Sequence, residues 1–139
     1  MTIAAVQTAT EPATSPGYVP GVCNIGPAEI ARRRRAGHAG AVAAAAVLAA
    51  LVAIDAPPTT RLIVALPAAA AAAGYLQAWL RFCAGFGSRG IVNFGQPGQR
   101  QVVEDPEARA RDRAMSRRIG AASLAIGVAV AAAAVALPV

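Results

Sequence analysis

Residues 119–139 read IGAASLAIGVAVAAAAVALPV: no position in the run carries a formal charge, and Ser123 is the one polar side chain. A helix rises 1.5 Å per residue, so this run is about 32 Å long and matches a hydrocarbon core of roughly 30 Å. The alternative is a helix buried in a soluble protein, but such a helix usually keeps a polar stripe, and this run has none. Two more blocks have the same character. Residues 36–54 read AGHAGAVAAAAVLAALVAI and residues 62–80 read LIVALPAAAAAAGYLQAWL, each only slightly shorter than the first. Three such blocks in 139 residues leave little chain to wrap them in water.

Composition agrees. Hydrophobic residues make up 56% and charged residues 14%, against about 45–50% and about 25% in ordinary globular domains. Disorder is excluded because it requires low hydrophobicity. A disulfide scaffold is excluded because two cysteines cannot brace a chain this long. Neither a collagen triplet nor a charged heptad repeat is present. The expectation is an all-α integral membrane protein with three transmembrane helices at about 36–54, 62–80 and 119–138. Alanine dominates all three blocks and favours insertion only marginally, so the second block, poorest in Leu, Ile and Val, relies on its neighbours.

Orientation follows from the 13 arginines, there being no lysine. Arg32, Arg33, Arg34 and Arg35 precede the first block. Arg81, Arg89, Arg100, Arg109, Arg111, Arg113, Arg117 and Arg118 lie between the second and third. Only Arg61 falls in the turn between the first two. The positive-inside rule therefore puts the N-terminus and the 81–118 loop in the cytoplasm and the C-terminus outside, in a multi-pass protein. A cleaved signal is disfavoured, because the basic lead-in begins only at Arg32 and Ile54-Asp55-Ala56 is a poor cleavage site.

Residues 1–22, rich in Thr, Pro, Ala and Gly, read as a disordered cytoplasmic tail ahead of a three-span domain over 23–139. Pro27 and Glu29 mark a helix start, and Asp105-Pro106-Glu107 marks another, with Asp105 able to cap. Glu107 and Arg111 are spaced for an i, i+4 pair. Residues 55–60 read as a tight turn, Pro67 as a kink in the second span, and residues 84–100 as a glycine-rich loop. Tyr75 and Trp79 read as interfacial anchors, and His38 as a group that reaches the interface uncharged.

Few motifs carry chemistry. Gly85-Phe86-Gly87-Ser88-Arg89-Gly90 fits G-x-G-x-x-G, but that pattern binds dinucleotides only inside a βαβ unit, for which no length remains. Arg32, Arg33, Arg34, Arg35, Arg117 and Arg118 are candidate contacts to anionic lipid. Nucleic-acid binding lacks aromatic stacking partners. Cys23 and Cys83 form a candidate thiol pair, both assigned to the cytoplasmic side, where positive neighbours and a helix N-terminus favour a reactive thiol. Glu104, Asp105, Glu107 and Asp112 read as helix-start and salt-bridge residues. No nucleophile triad, zinc motif or phosphate loop is present, and no cofactor or metal is expected.

Asn24, Ile25, Gly26, Glu29, Arg32 and Arg35, followed later by Cys83 and Gly87 or Gly90, resemble the YgaP-like transmembrane family, a small inner-membrane domain often appended to a rhodanese sulfurtransferase. The resemblance covers residues 23–90. It implies a helical hairpin that pairs with itself and a link to sulfur handling. The family's Cys-Pro-hydrophobic-aromatic stretch is here Cys83-Ala84-Gly85-Phe86, and a third apolar block follows.

The functional expectation is a non-enzymatic interaction or accessory subunit in the lipid bilayer. It is expected to form a homo-oligomer or join a larger membrane complex through small-residue faces at Ala36 and Gly40 and at Gly120 and Gly127. The alternative is a thiol-dependent carrier of sulfur species or a soft metal using Cys23 and Cys83. A third reading makes the 84–118 loop an anchor for a soluble partner.

Overall fold

A computed structural model describes residues 17–139, so most of the expected tail, residues 1–16, lies outside the described residues. The chain is mostly helical. Helix α1 spans Pro27–Ala53, a 3-10 segment spans Pro58–Val64, and α2 spans Ala65–Leu80. A short α3 (Ala84–Arg89) and the strands β1 (Ile91–Val92) and β2 (Gln101–Val102) precede α4 (Pro106–Ala136). Three helical stretches, Pro27–Ala53, Pro58–Leu80 and Pro106–Ala136, are long and apolar enough to cross a membrane. The chain divides into two compact units, and α1, α2 and α4 supply residues to both.

The alanine-rich unit comprises Arg33–Leu76 and Ile119–Val139. Its helices pack through small residues. A Cβ placed on Gly40 would sit 2.6 Å from the Ala71 nitrogen, and one on Gly127 would sit 2.6 Å from the Ala65 carbonyl oxygen. Close backbone approach of this kind is what drives helix association in lipid, where burial of apolar surface gains nothing. Along α4 the buried positions Ile119, Ser123, Gly127, Ala131 and Ala134 recur every three or four residues and define one face. Ser123 does not make that face polar, because its hydroxyl donates to the Ile119 carbonyl at 2.7 Å.

Pro67 does not kink a long helix. It falls in the first turn of α2, and the residues before it are 3-10. Proline has no N–H and its ring clashes with the carbonyl four residues back, so the α-helix starts afresh around it. The preceding turn closes differently. Asp55, at φ 52°, takes a left-handed conformation, and the Ala56 N–H reaches back to the Leu51 carbonyl, the bond of a Schellman cap.

The arginine-rich unit comprises, among the described residues, 17–32 and 77–118. It contains the stretch expected to be a loop. Residues 84–89 are helical, and Gly90, at φ 70°, ends α3 in the left-handed region. β1 and β2 then pair antiparallel, Ile91 opposite Val102 and Val92 opposite Gln101. One apolar cluster joins Ile25, Cys83 and Phe86, and another joins Val92, Val103 and Ala108. Phe82 is fully buried. Residues 17–22, assigned to the tail from sequence, turn back onto α4, because Tyr18 and Gly21 both donate hydrogen bonds to Asp112. Asp105 caps α4 as expected, accepting from the Glu107 and Ala108 N–H groups at 3.1 and 3.3 Å.

Candidate functional site

Among the described residues of the arginine-rich unit, the polar side chains of Asn24, Glu29, Asn93 and Asp112 are at most 1% exposed. A buried polar group is tolerated when its hydrogen bonds are made. Asn24 clamps residue 83 in both directions: its Oδ1 accepts the Cys83 N–H at 2.7 Å and its Nδ2 donates to the Cys83 carbonyl at 3.1 Å. The Asn24 N–H donates to the Arg81 carbonyl, and the Asn93 N–H donates to the Asn24 carbonyl. The Asn93 amide in turn donates to Glu29 at 3.2 Å and to the Gln96 carbonyl at 2.9 Å, while its oxygen accepts the Gly95 N–H. Gly26 completes the arrangement. Its N–H donates to the Asn93 carbonyl, and a Cβ there would collide with the Phe94 backbone at 2.8–2.9 Å.

This network holds both cysteines. Cys83 is 3% exposed and packs against Ile25 and Phe86. Cys23 is half-buried, its Sγ 3.8 Å from the Ile25 carbonyl, and neither cysteine is in a disulfide. The Asn24 clamp thus brings the backbone at residues 23–25 alongside residues 81–83. A thiol in an apolar cluster packs as a small hydrophobe.

The arginines point elsewhere. Arg32 is exposed and lies 3.9 Å from the buried Glu29, while Arg34, Arg35, Arg117 and Arg118 are exposed and Arg33 is half-buried. Arg111 pairs with Glu107 at 2.7 Å, as the spacing suggests. Arg100 lies over the Phe86 ring, 5.4 Å from its centre. The described part of this unit carries nine arginines and five acids, and two of those acids, Glu29 and Asp112, are buried. Its surface is therefore strongly cationic.

Asp112 was read from sequence as a helix-start or salt-bridge residue, and the structure corrects this. It is fully buried on the face of α4 that also buries Ala108, Ser116 and Ile119. Its Oδ2 accepts the Tyr18 hydroxyl at 2.8 Å and its Oδ1 the Gly21 N–H at 2.7 Å. Burial pushes the Asp112 carboxyl above its ordinary range, opposed by those two bonds. The Tyr18 hydroxyl is pushed up by burial and by the neighbouring carboxylate. The i, i+4 spacing of Ala108, Asp112 and Ser116 was the signal in the sequence.

The G-x-G-x-x-G stretch lies on α3, with β1 after it rather than before it, so the strand–loop–helix context of a phosphate loop is missing. Among the described residues no three His, Cys, Asp or Glu side chains cluster as metal ligands would.

In the alanine-rich unit, His38 Nδ1 and the Tyr75 hydroxyl lie 2.7 Å apart, the rings edge-on with centres 5.3 Å apart. In the sequence Arg61 is the one basic residue between the first two apolar blocks, which suggests an exposed turn position. It is 3% exposed and caps the end of α4, its Nη1 donating to the Ala134 and Leu137 carbonyls at 3.1 Å each and its Nη2 to the main-chain oxygen of Val139. A cation there satisfies carbonyls that the helix leaves open and complements its dipole. A lone arginine opposite twelve others, with a helix end due nearby, was the available clue. Gly40 and Gly127, expected to serve contacts between copies, are buried within the chain, whereas Ala36 and Gly120 are exposed.

No protein-family model matches the chain, and no match was found among curated proteins or solved structures.

Proposed function

We propose that this chain is a three-span protein of a bacterial inner membrane, with its N-terminus and arginine-rich unit inside and its C-terminus outside. In this reading it works without catalysis, as an interaction or accessory subunit. The observation that carries the proposal is the folding of the segment between the second and third apolar blocks. Residues 77–118 are organised around buried Asn93 and Asp112, and all their arginines but the half-buried Arg109 are exposed. A segment that only joined two spans would not need a buried polar network. A cationic surface on a folded unit suits an acidic partner or the anionic face of a membrane.

Assembly is part of the proposal, either with itself or into a larger complex. Crosslinking in native membranes is expected to give a species at twice the monomer mass or above, and a monomer at every concentration contradicts it. Deleting residues 84–104 is expected to abolish recovery of a soluble partner if the arginine-rich unit does the binding.

The thiol-carrier alternative needs Cys83 to leave its apolar cluster. Rapid labelling of both Cys23 and Cys83 at neutral pH, with loss of phenotype in the double Cys→Ser variant, would favour it over the accessory role.

A further inference from the structure

One cleft in the arginine-rich unit has a use that the buried networks do not explain. It measures about 210 Å³ and is lined by Pro20, Gly21, Arg111, Ala114, Met115 and Arg118. The four α4 residues stand at i, i+3, i+4 and i+7, so they share one face across two turns. Arg111 and Arg118 bracket the apolar Met115 and Ala114. The opposite wall is the Pro20-Gly21 turn, fixed in place by the Gly21 N–H on buried Asp112. Gly21 has φ 72°, and a Cβ there would lie 3.2 Å from the Arg111 Cβ, so the wall stands directly against the helix.

We propose that this cleft binds the phosphate of an anionic phospholipid headgroup between Arg111 and Arg118. Two guanidinium groups suit phosphate oxygens, which they contact through paired N–H donors. The charge surplus of the unit favours an anion, and the apolar floor suits a ligand that is not wholly polar. Arg111 already meets Glu107, but both side chains are largely exposed, and an exposed pair of this kind gives way readily to a phosphate. Lipid rather than a free anion is indicated by position in the sequence: Arg118 is the last charged residue before the apolar run that begins at Ile119. That choice of source rests on the membrane reading above.

The test uses the full chain purified in a neutral detergent, with phosphatidylglycerol or phosphatidylcholine of the same acyl chains added and bound lipid counted by native mass spectrometry. Phosphatidylglycerol is expected to bind in preference. The preference should fall severalfold in R111Q/R118Q and persist in R100Q/R113Q, which removes as much charge from the arginine-rich unit at exposed positions outside the cleft. Ala114→Phe keeps every charge and fills the cleft, and it should lose the preference as well. Equal binding of the two lipids, or equal losses in the two double variants, overturns the proposal. So does displacement of the lipid by inorganic phosphate at equal concentration, which would mark a site for the free anion. Binding is read in detergent solution, so its failure leaves the membrane reading standing, whereas a chain that stays soluble when membranes are sedimented removes that reading instead.

Discussion

The two units are held together by different contacts. In the alanine-rich unit the contacts are made by glycine and alanine, as where Gly40 meets Ala71 and Gly127 meets Ala65, and the helix backbones themselves form the interface. In the arginine-rich unit the buried positions include Asn24, Glu29, Asn93 and Asp112, and side-chain hydrogen bonds tie together segments as far apart in sequence as Asn24 and Cys83 or Tyr18 and Asp112. Shape holds the first, and the second adds satisfied polar groups to its apolar clusters. A small residue made larger should therefore damage one, and a polar residue made apolar should damage the other.

The largest effect is expected at Asn24. Asn24→Ala removes the acceptor of the buried Cys83 N–H, at about 1–3 kcal/mol, and one of two donors to the Cys83 carbonyl, which keeps the Gly87 N–H. Protease cutting within residues 84–104 should rise sharply while the helical signal of the long apolar helices stays close to that of the parent. Equal protease resistance in parent and variant would break the contrast between the units.

Arg61 sharpens it, as the one buried charge in the unit that otherwise packs by shape. Arg61→Met removes charge-assisted bonds to the last carbonyls of α4, worth about 1.5–3 kcal/mol where the donor is charged. Thermal unfolding in detergent should shift down, with residues 134–139 the first to exchange amide hydrogens.

Gly40→Leu should cost about 1–3 kcal/mol or more through overpacking against Ala71. Gly120→Leu, on an exposed position of α4 with open space around it, should cost nothing measurable in the same melt. Comparable losses at the two sites would mean that Gly120 also faces a packed surface, and crosslinking through residue 120 would locate it.

The smallest effect is a slope with pH. Burial holds the Asp112 carboxyl above its ordinary range, so the folded unit takes up that proton more readily than the unfolded chain does. The corresponding stability is fully present below the unfolded carboxylate range and is lost as pH rises through the elevated folded value. The arginine-rich unit should thus resist protease slightly better in mild acid than at neutral pH, and Asp112→Asn should flatten that difference.

These contrasts also explain which parts were legible beforehand. An uncharged run as long as 119–139 declares its length and polarity residue by residue, so the apolar helices could be read from hydropathy alone. Pro27, Asp105 and the Glu107–Arg111 spacing act within one turn and were likewise readable. Asn24 and Asn93 were not, because what an asparagine bonds to across a chain depends on which segment folds against it. Asp112 and Arg61 misled for a related reason. A charged residue is expected at the surface, and only the helix face shared with Ala108 and Ser116, or the open carbonyls at the end of α4, indicates a buried place for it. The glycines within 85–90 suggested a flexible loop, but Phe86, Ser88 and Arg89 sit among them in a helix, and the turn that follows needs only Gly90 in a left-handed conformation.

The proposed topology has three crossings of a bilayer with the arginine-rich unit inside. Paired reporter fusions test it most directly, one inserted at the exposed Gly98 in the turn between β1 and β2 and one following Val139. A cytoplasmic signal is expected from the first and an external signal from the second, in a protein that stays with the membrane after an alkaline wash. Signals from the same side, or release by the wash, would contradict it.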